Sequence, residues 1–148
     1  MARFHKDGTL PAPGEVLVFG SNLAGRHGLG AAKLAREQYG AIWGQGAGLQ
    51  GQSYGIPTRD GRPGTPSLRS PAATLTLDEI QRQVASFVAY ANAHPAKQFF
   101  ITRVGCGLAG HRDADIAPFF SEAGANCSFP QEWGPFLGAA SQELLPLF

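Results

Sequence analysis

Two short apolar runs in this chain of 148 residues each end in a glycine-rich turn that opens a helical pattern, and this repeated arrangement narrows the possible folds sharply. The first is Glu15 to Phe19 (EVLVF) followed by GSNLAGRHGLG; the second is Gln98 to Arg103 (QFFITR) followed by VGCGLAGHRD. Strands that alternate with helices build parallel sheets, because parallel neighbours need a crossover between them. Glycine occurs 20 times, and 12 of these fall between Gly20 and Gly64. Each glycine costs backbone entropy on folding. Such a concentration means either loose order or a backbone that must come close to something.

The remaining pattern fits the same plan. Residues 1–14, punctuated by Pro11, Pro13 and Gly14, read as a poorly anchored lead-in. A helix is expected from about Leu29 to Tyr39, ending at Gly40. Residues 41–51 (AIWGQGAGLQG) carry no clean periodicity, Ser53 to Thr58 reads as a strand, and Arg59 to Thr74 as an exposed loop. Thr76 and Glu79 form a capping-box pattern, and the helix behind it carries Ile80, Val84, Phe87, Val88 and Ala91 on one face until it stops before Pro95. A third helix should start at Asp113 and Asp115, whose charges suit its positive end, and bury Ile116, Phe119, Phe120 and Ala123. Asn126 to Phe129 is a last short strand, and Gly134 to Phe148 a tail packing Leu144, Leu145 and Phe148 on the surface. The expectation is one three-layer α/β/α domain over residues 15–133, with a mostly parallel mixed sheet.

Composition removes several function classes. A net charge of +1, from 12 basic and 11 acidic residues, gives no electrostatic case for a dedicated nucleic-acid binder. No apolar run approaches the roughly 20 residues needed to span a bilayer. The opening MARFHKDGTLPAPGE lacks the apolar segment of a secretory signal, and Cys106 and Cys127 are too few for a disulfide framework. His5, His27, His94 and His111 show no ligand-pair spacing. A cytoplasmic monomer without metal or cofactor is expected.

In open α/β sheets ligands bind beyond the carboxyl ends of the strands, where unpaired N–H groups at helix starts favour anions. Two glycine loops facing one crevice would clamp a diphosphate. Gly105-Cys106-Gly107-Leu108-Ala109-Gly110 fits GxGxxG, but no acidic residue at the proper distance ends a following strand, which rejects an ordinary Rossmann dehydrogenase; no Walker lysine motif is present either. In the first loop Asn22 either turns the backbone or holds a ribose hydroxyl or a water. His27 is a general base, a ligand contact or a solvated loop residue. Cys106 sits where a nucleophile would, without a sequence-local partner to activate it. Residues 43–52 either line the crevice or cover the sheet, with lining favoured; Arg62 and Arg69 read as solvated charges.

Asn22 followed by Gly25-Arg26-His27-Gly28-Leu29-Gly30-Ala31-Ala32, together with Arg103-Val104-Gly105-Cys106-Gly107-Leu108, resembles the macrodomain family of ADP-ribose-binding modules. The second string is similar to the phosphate loop of the terminal ADP-ribose protein glycohydrolase branch and its DNA-deglycosylating bacterial relatives. FGSNLAGRHG, GLQGQSYGIPT and RVGCGLAG also look like a compact macrodomain-like group in bacteria and phages. The resemblance implies that Asn22 contacts the distal ribose and that Gly28, Leu29, Gly30 and Ala31 follow the diphosphate on one side. Gly105, Cys106, Gly107, Leu108, Ala109 and Gly110 would wrap it from the other, with Phe19 or Gly20 near the adenine. Where that branch carries a catalytic aspartate and lysine, this chain has Ala109 and Arg59, so the mechanism through those groups is not expected.

Three functions follow. The first is binding of ADP-ribose or a related NAD-derived ligand, extended to hydrolysis of an ADP-ribosyl bond if Asn22 positions a water and His27 assists as acid or base. The second is a non-catalytic reader of ADP-ribosylated partners. The third is an unrelated nucleotide or sugar-phosphate enzyme on a similar scaffold.

Overall fold

A computed structural model describes residues 3–137 of the chain, so the expected packing of Leu144, Leu145 and Phe148 lies outside the described residues. Six strands form one sheet: β1 (Arg3–His5), β2 (Glu15–Asn22), β3 (Gly48–Gln50), β4 (Ser53–Arg59), β5 (Gln98–Ile101) and β6 (Cys127–Pro130). Their order is β1-β6-β5-β2-β4-β3. All pairings are parallel except β3 with β4. The chain is α/β with a mostly parallel sheet, compatible with three layers.

Alternation along β2 shows why both faces are covered. Val16 and Val18 point into a core shared with Ile56, Phe99, Ile101 and helix α2 (Leu77–Ala93), whereas Leu17 and Phe19 pack with Ala32 and Ala35 of helix α1 (Gly30–Gln38). Successive side chains of a strand face opposite ways, so a continuous apolar strand needs a helix on each side. Phe87 of α2 is fully buried and meets Tyr54 and Phe99 edge-on.

Three local readings are corrected. The lead-in is anchored: Arg3–His5 pairs in parallel with β6, and the His5 ring stacks on Phe100 at 3.7 Å between centroids. The third helix is a single α turn, α3 (Asp113–Ile116), followed by a 3-10 turn (Ala117–Phe120) that begins with Pro118 in its first positions. Proline lacks the N–H that would extend the α pattern. The segment without periodicity contributes the antiparallel edge strand β3, whose three residues are too few for any alternation to show. The fold also continues past residue 133, since Gln131–Phe136 forms a 3-10 turn that buries Trp133 completely.

The capping box is formed as expected. Thr76 Oγ1 accepts from the Glu79 N–H at 3.2 Å, and Glu79 Oε1 accepts from the Thr76 N–H at 3.0 Å. Thr76→Ala is expected to lower unfolding free energy by about 1 kcal/mol. Urea denaturation checks this; an unchanged midpoint would show that α2 is held by its buried face alone.

Candidate functional site

Beyond the carboxyl ends of β2, β4 and β5 the surface opens into a cleft of about 1010 Å³. The first glycine loop forms one side. Asn22 closes it with its own side chain: Oδ1 accepts from the Arg26 N–H and Nδ2 donates to the Arg26 carbonyl, both at 2.9 Å. Backbone bonds from Leu23 and Ala24 to the carbonyls of Arg59 and Asp60 stitch the loop to the end of β4. The second glycine loop forms the opposite side. Thr102 anchors its start by donating both its N–H and its hydroxyl to the Val18 carbonyl.

Gly20, Asn22, Gly28, Leu29, Gly30 and Ala31 line this cleft from the first side. Gly105, Gly107, Leu108 and Ala109 line it from the second. The structure therefore brings the two loops together around a single space. Gly28 and Gly107 need no special backbone conformation, and a Cβ added to either would meet nothing within 4 Å. Neither the chain path nor the packing requires glycine at these positions. Each leaves a bare backbone facing the space, as an approaching ligand would need.

Four expected site residues do not line the cleft. Phe19 is fully buried under α1, which removes it as an adenine contact. His27 is also fully buried: Nε2 donates to the Gln45 carbonyl at 2.9 Å, and the ring meets Phe19 edge-on. A carbonyl accepts only, so that bond fixes the proton on Nε2 and turns the imidazole away from any ligand. This corrects its reading as acid or base and as a solvated loop residue. Cys106 and Gly110 stand outside the lining. Burial, with the Asp113 carboxylate close by, pushes the Cys106 thiol up to about 12, so it is no thiolate nucleophile at neutral pH.

Several residues that sequence reasoning placed elsewhere belong to the site. The loop from Gly61 to Arg69 forms a wall of the cleft, and Arg62 and Arg69 lie on it. Arg59, read as the start of an exposed loop, ends β4 and is only 7% exposed. Its guanidinium donates to the Leu68 carbonyl, to the Ser70 carbonyl at 2.8 Å and to the Leu108 carbonyl at 2.7 Å. It also donates to Thr74 Oγ1 at 3.0 Å, and that hydroxyl donates to the Ala109 carbonyl. A signal existed: a charge ending a strand of otherwise buried residues, at the sheet edge where ligands bind. The stretch 41–52 mostly covers instead of lining. A Cβ at Gly25 would stand 2.4 Å from the Gln45 nitrogen, and one at Gly46 2.3 Å from the Asn22 carbonyl oxygen. These glycines are spent on backbone against backbone, and from that stretch only Trp43 lines the cleft.

The cleft is electropositive. Arg26, Arg59, Arg62, Arg69 and Arg103 line it, and among the described residues no aspartate, glutamate, histidine or cysteine does. Two of these charges are balanced from outside the lining. Arg62 pairs with Asp60 at 2.7 Å, and Arg103 makes a two-pronged pair with Asp113 at 3.0 and 2.8 Å. Among the described residues Arg26, Arg59 and Arg69 have no acidic partner. Burial lowers the Arg59 pKa, as expected where carbonyl dipoles alone offset a desolvated cation.

Asp113 also accepts from the Trp133 indole N–H at 2.7 Å. Burial alone would raise its pKa, but the bonds from Arg103 and Trp133 override it and hold the carboxyl below its ordinary 3.8. A depressed carboxyl stabilises the fold above its unfolded pKa, and that stability is lost as pH falls through the folded one. Wild type should therefore lose more unfolding free energy below about pH 4 than Asp113→Asn does. Parallel urea titrations across that window check this; two curves of equal slope would remove Asp113 from the acid response. Comparison of the chain with protein-family models, with curated proteins and with solved structures found no match.

Proposed function

We propose that the cleft binds ADP-ribose or a related NAD-derived diphosphate, held between the two glycine loops. The observation that carries this reading is the pairing of Gly28 and Gly107 across one arginine-lined space, with nothing in the fold demanding glycine at either. The Gly28 N–H is given to the Arg26 carbonyl at 3.0 Å, so what Gly28 offers is close approach. Guanidinium donors and N–H groups at a helix start are the groups that bind a diphosphate, and Arg recognises phosphate oxygens with fixed geometry. The macrodomain-like strings around Asn22 and Gly105 support the sugar-nucleotide part of the proposal. A cleft of about 1010 Å³ is roomy enough for such a ligand.

The absence of an ionisable acid or base among the described lining residues favours the reader over the hydrolase. Attack on an anomeric carbon gains from positioning, but a proton still has to leave the water. The two closures of the Asn22 carboxamide onto Arg26 make it a backbone clamp first. In this reading it shapes the loop for the ribose and does not activate water.

Calorimetric titration with ADP-ribose is the direct test. At 100 times its dissociation constant the ligand should raise stability by about 2.7 kcal/mol. Gly107→Val and Gly28→Val should each weaken binding at least about tenfold with an unchanged melting temperature, because the new side chain enters ligand space and no protein atom. Unaltered binding in both variants would remove the loops from the site. Incubation with an ADP-ribosylated protein, followed by mass spectrometry, should show no release of the modification; catalytic release would replace the reader by the hydrolase.

A further inference from the structure

Trp43 is the one aromatic residue among those lining the cleft. It is 57% exposed, unusually open for so large an apolar ring. Arg36 of α1 lies over it, the guanidinium carbon 5.8 Å from the ring centroid. Ile42 and Leu49, exposed neighbours on the same segment, do not line the cleft. Trp43 is therefore not simply part of an apolar patch along that edge.

The surroundings of Trp43 are held with unusual care. The Gly44 N–H donates to the Gly25 carbonyl at 2.9 Å, and the Ile42 N–H donates to the side chain of buried Gln50 at 2.8 Å. His27 holds the next residue from below by donating to the Gln45 carbonyl. The close approaches at Gly25 and Gly46 admit no side chain. A buried histidine, a buried glutamine and a set of glycines fix a turn whose central ring packs against little of the protein itself.

From this we infer that Trp43 is the stacking platform for the base of the bound nucleotide. The inference rests on the diphosphate reading above, and supplies the base-recognition residue that buried Phe19 cannot be. A rigid aromatic ring beside an anion site matches a molecule that joins a flat heterocycle to phosphate through a sugar. Stacking suits an exposed indole because every base offers it a π-face. The Arg36 guanidinium, itself fixed by donating to the His27 carbonyl at 2.8 Å, steadies the ring by a cation–π contact.

The fluorescence of the intact protein tests this, since Trp133 is wholly buried and only Trp43 can report directly on a ligand. ADP-ribose and AMP should quench the emission, and ribose 5-phosphate should not. Trp43→Phe should lose the quench yet keep ADP-ribose affinity within a few-fold in calorimetry. Trp43→Ala should bind roughly 5- to 100-fold more weakly at an unchanged melting temperature. Wild-type affinity in Trp43→Ala, or equal quenching by ribose 5-phosphate, overturns the platform while leaving the diphosphate site intact. No heat with ADP-ribose on the wild-type protein overturns both.

Discussion

The guanidinium of Arg59 ties two walls of the cleft to the sheet. From the end of β4 it reaches carbonyls of the 61–70 wall and of the second glycine loop, and through Thr74 it reaches Ala109 as well. Each bond from a charged donor is worth about 1.5–3 kcal/mol, and only the planar fork of arginine reaches so many acceptors at fixed angles. A lysine would keep the charge and lose the fork. The cation is held by dipoles and no carboxylate, so its field remains available to a ligand in the cleft. One residue thus sets the width of the space and part of its sign.

The glycines of this chain serve different ends that composition alone cannot separate. Gly25, Gly46, Gly51 and Gly55 lack side chains because another backbone stands within 3 Å of where a Cβ would be. Gly28 and Gly107 have open space at the same point. The first kind accounts for part of the accumulation between Gly20 and Gly64, with Gly25 and Gly46 packing the 41–52 segment against the first loop. Gly8, Gly14, Gly30, Gly44, Gly64 and Gly110 also have open space there but adopt positive φ, a conformation that favours glycine, whereas Gly28 and Gly107 have neither constraint.

That division also shows what was legible in the sequence. The strands at Glu15, Ser53 and Gln98, the α2 helix with its Thr76–Glu79 cap, and the position of both loops could all be read, because hydrophobic periodicity and capping are local properties. The pairing of Arg3–His5 with β6 spans more than 120 residues, and three residues of edge strand carry no period to detect. His27 and Arg59 were misplaced for a related reason. A polar side chain among glycines and prolines looks solvated until long-range contacts, with Gln45 in one case and Leu108 in the other, bury it. Charge balance was similarly hidden. A net charge of +1 coexists with five arginines on one cleft because the acidic residues among those described sit behind its walls or elsewhere on the surface.

The same arrangement bears on which chemistry the lining of the cleft can supply. Catalysis needs a group whose interaction with the ligand strengthens as the bond breaks. Here the residues best suited to respond, His27, Cys106 and Asp113, are each committed to holding backbone or partner side chains in place. Those that face the cleft are guanidiniums, hydroxyls, amides and an indole, groups that would hold a diphosphate and a base to much the same degree throughout a reaction. Binding that is uniform in this way tightens a complex and leaves a barrier where it was. Ala109 lines the cleft on the second glycine loop, and a carboxylate at that position would bring an acid–base group to face the space.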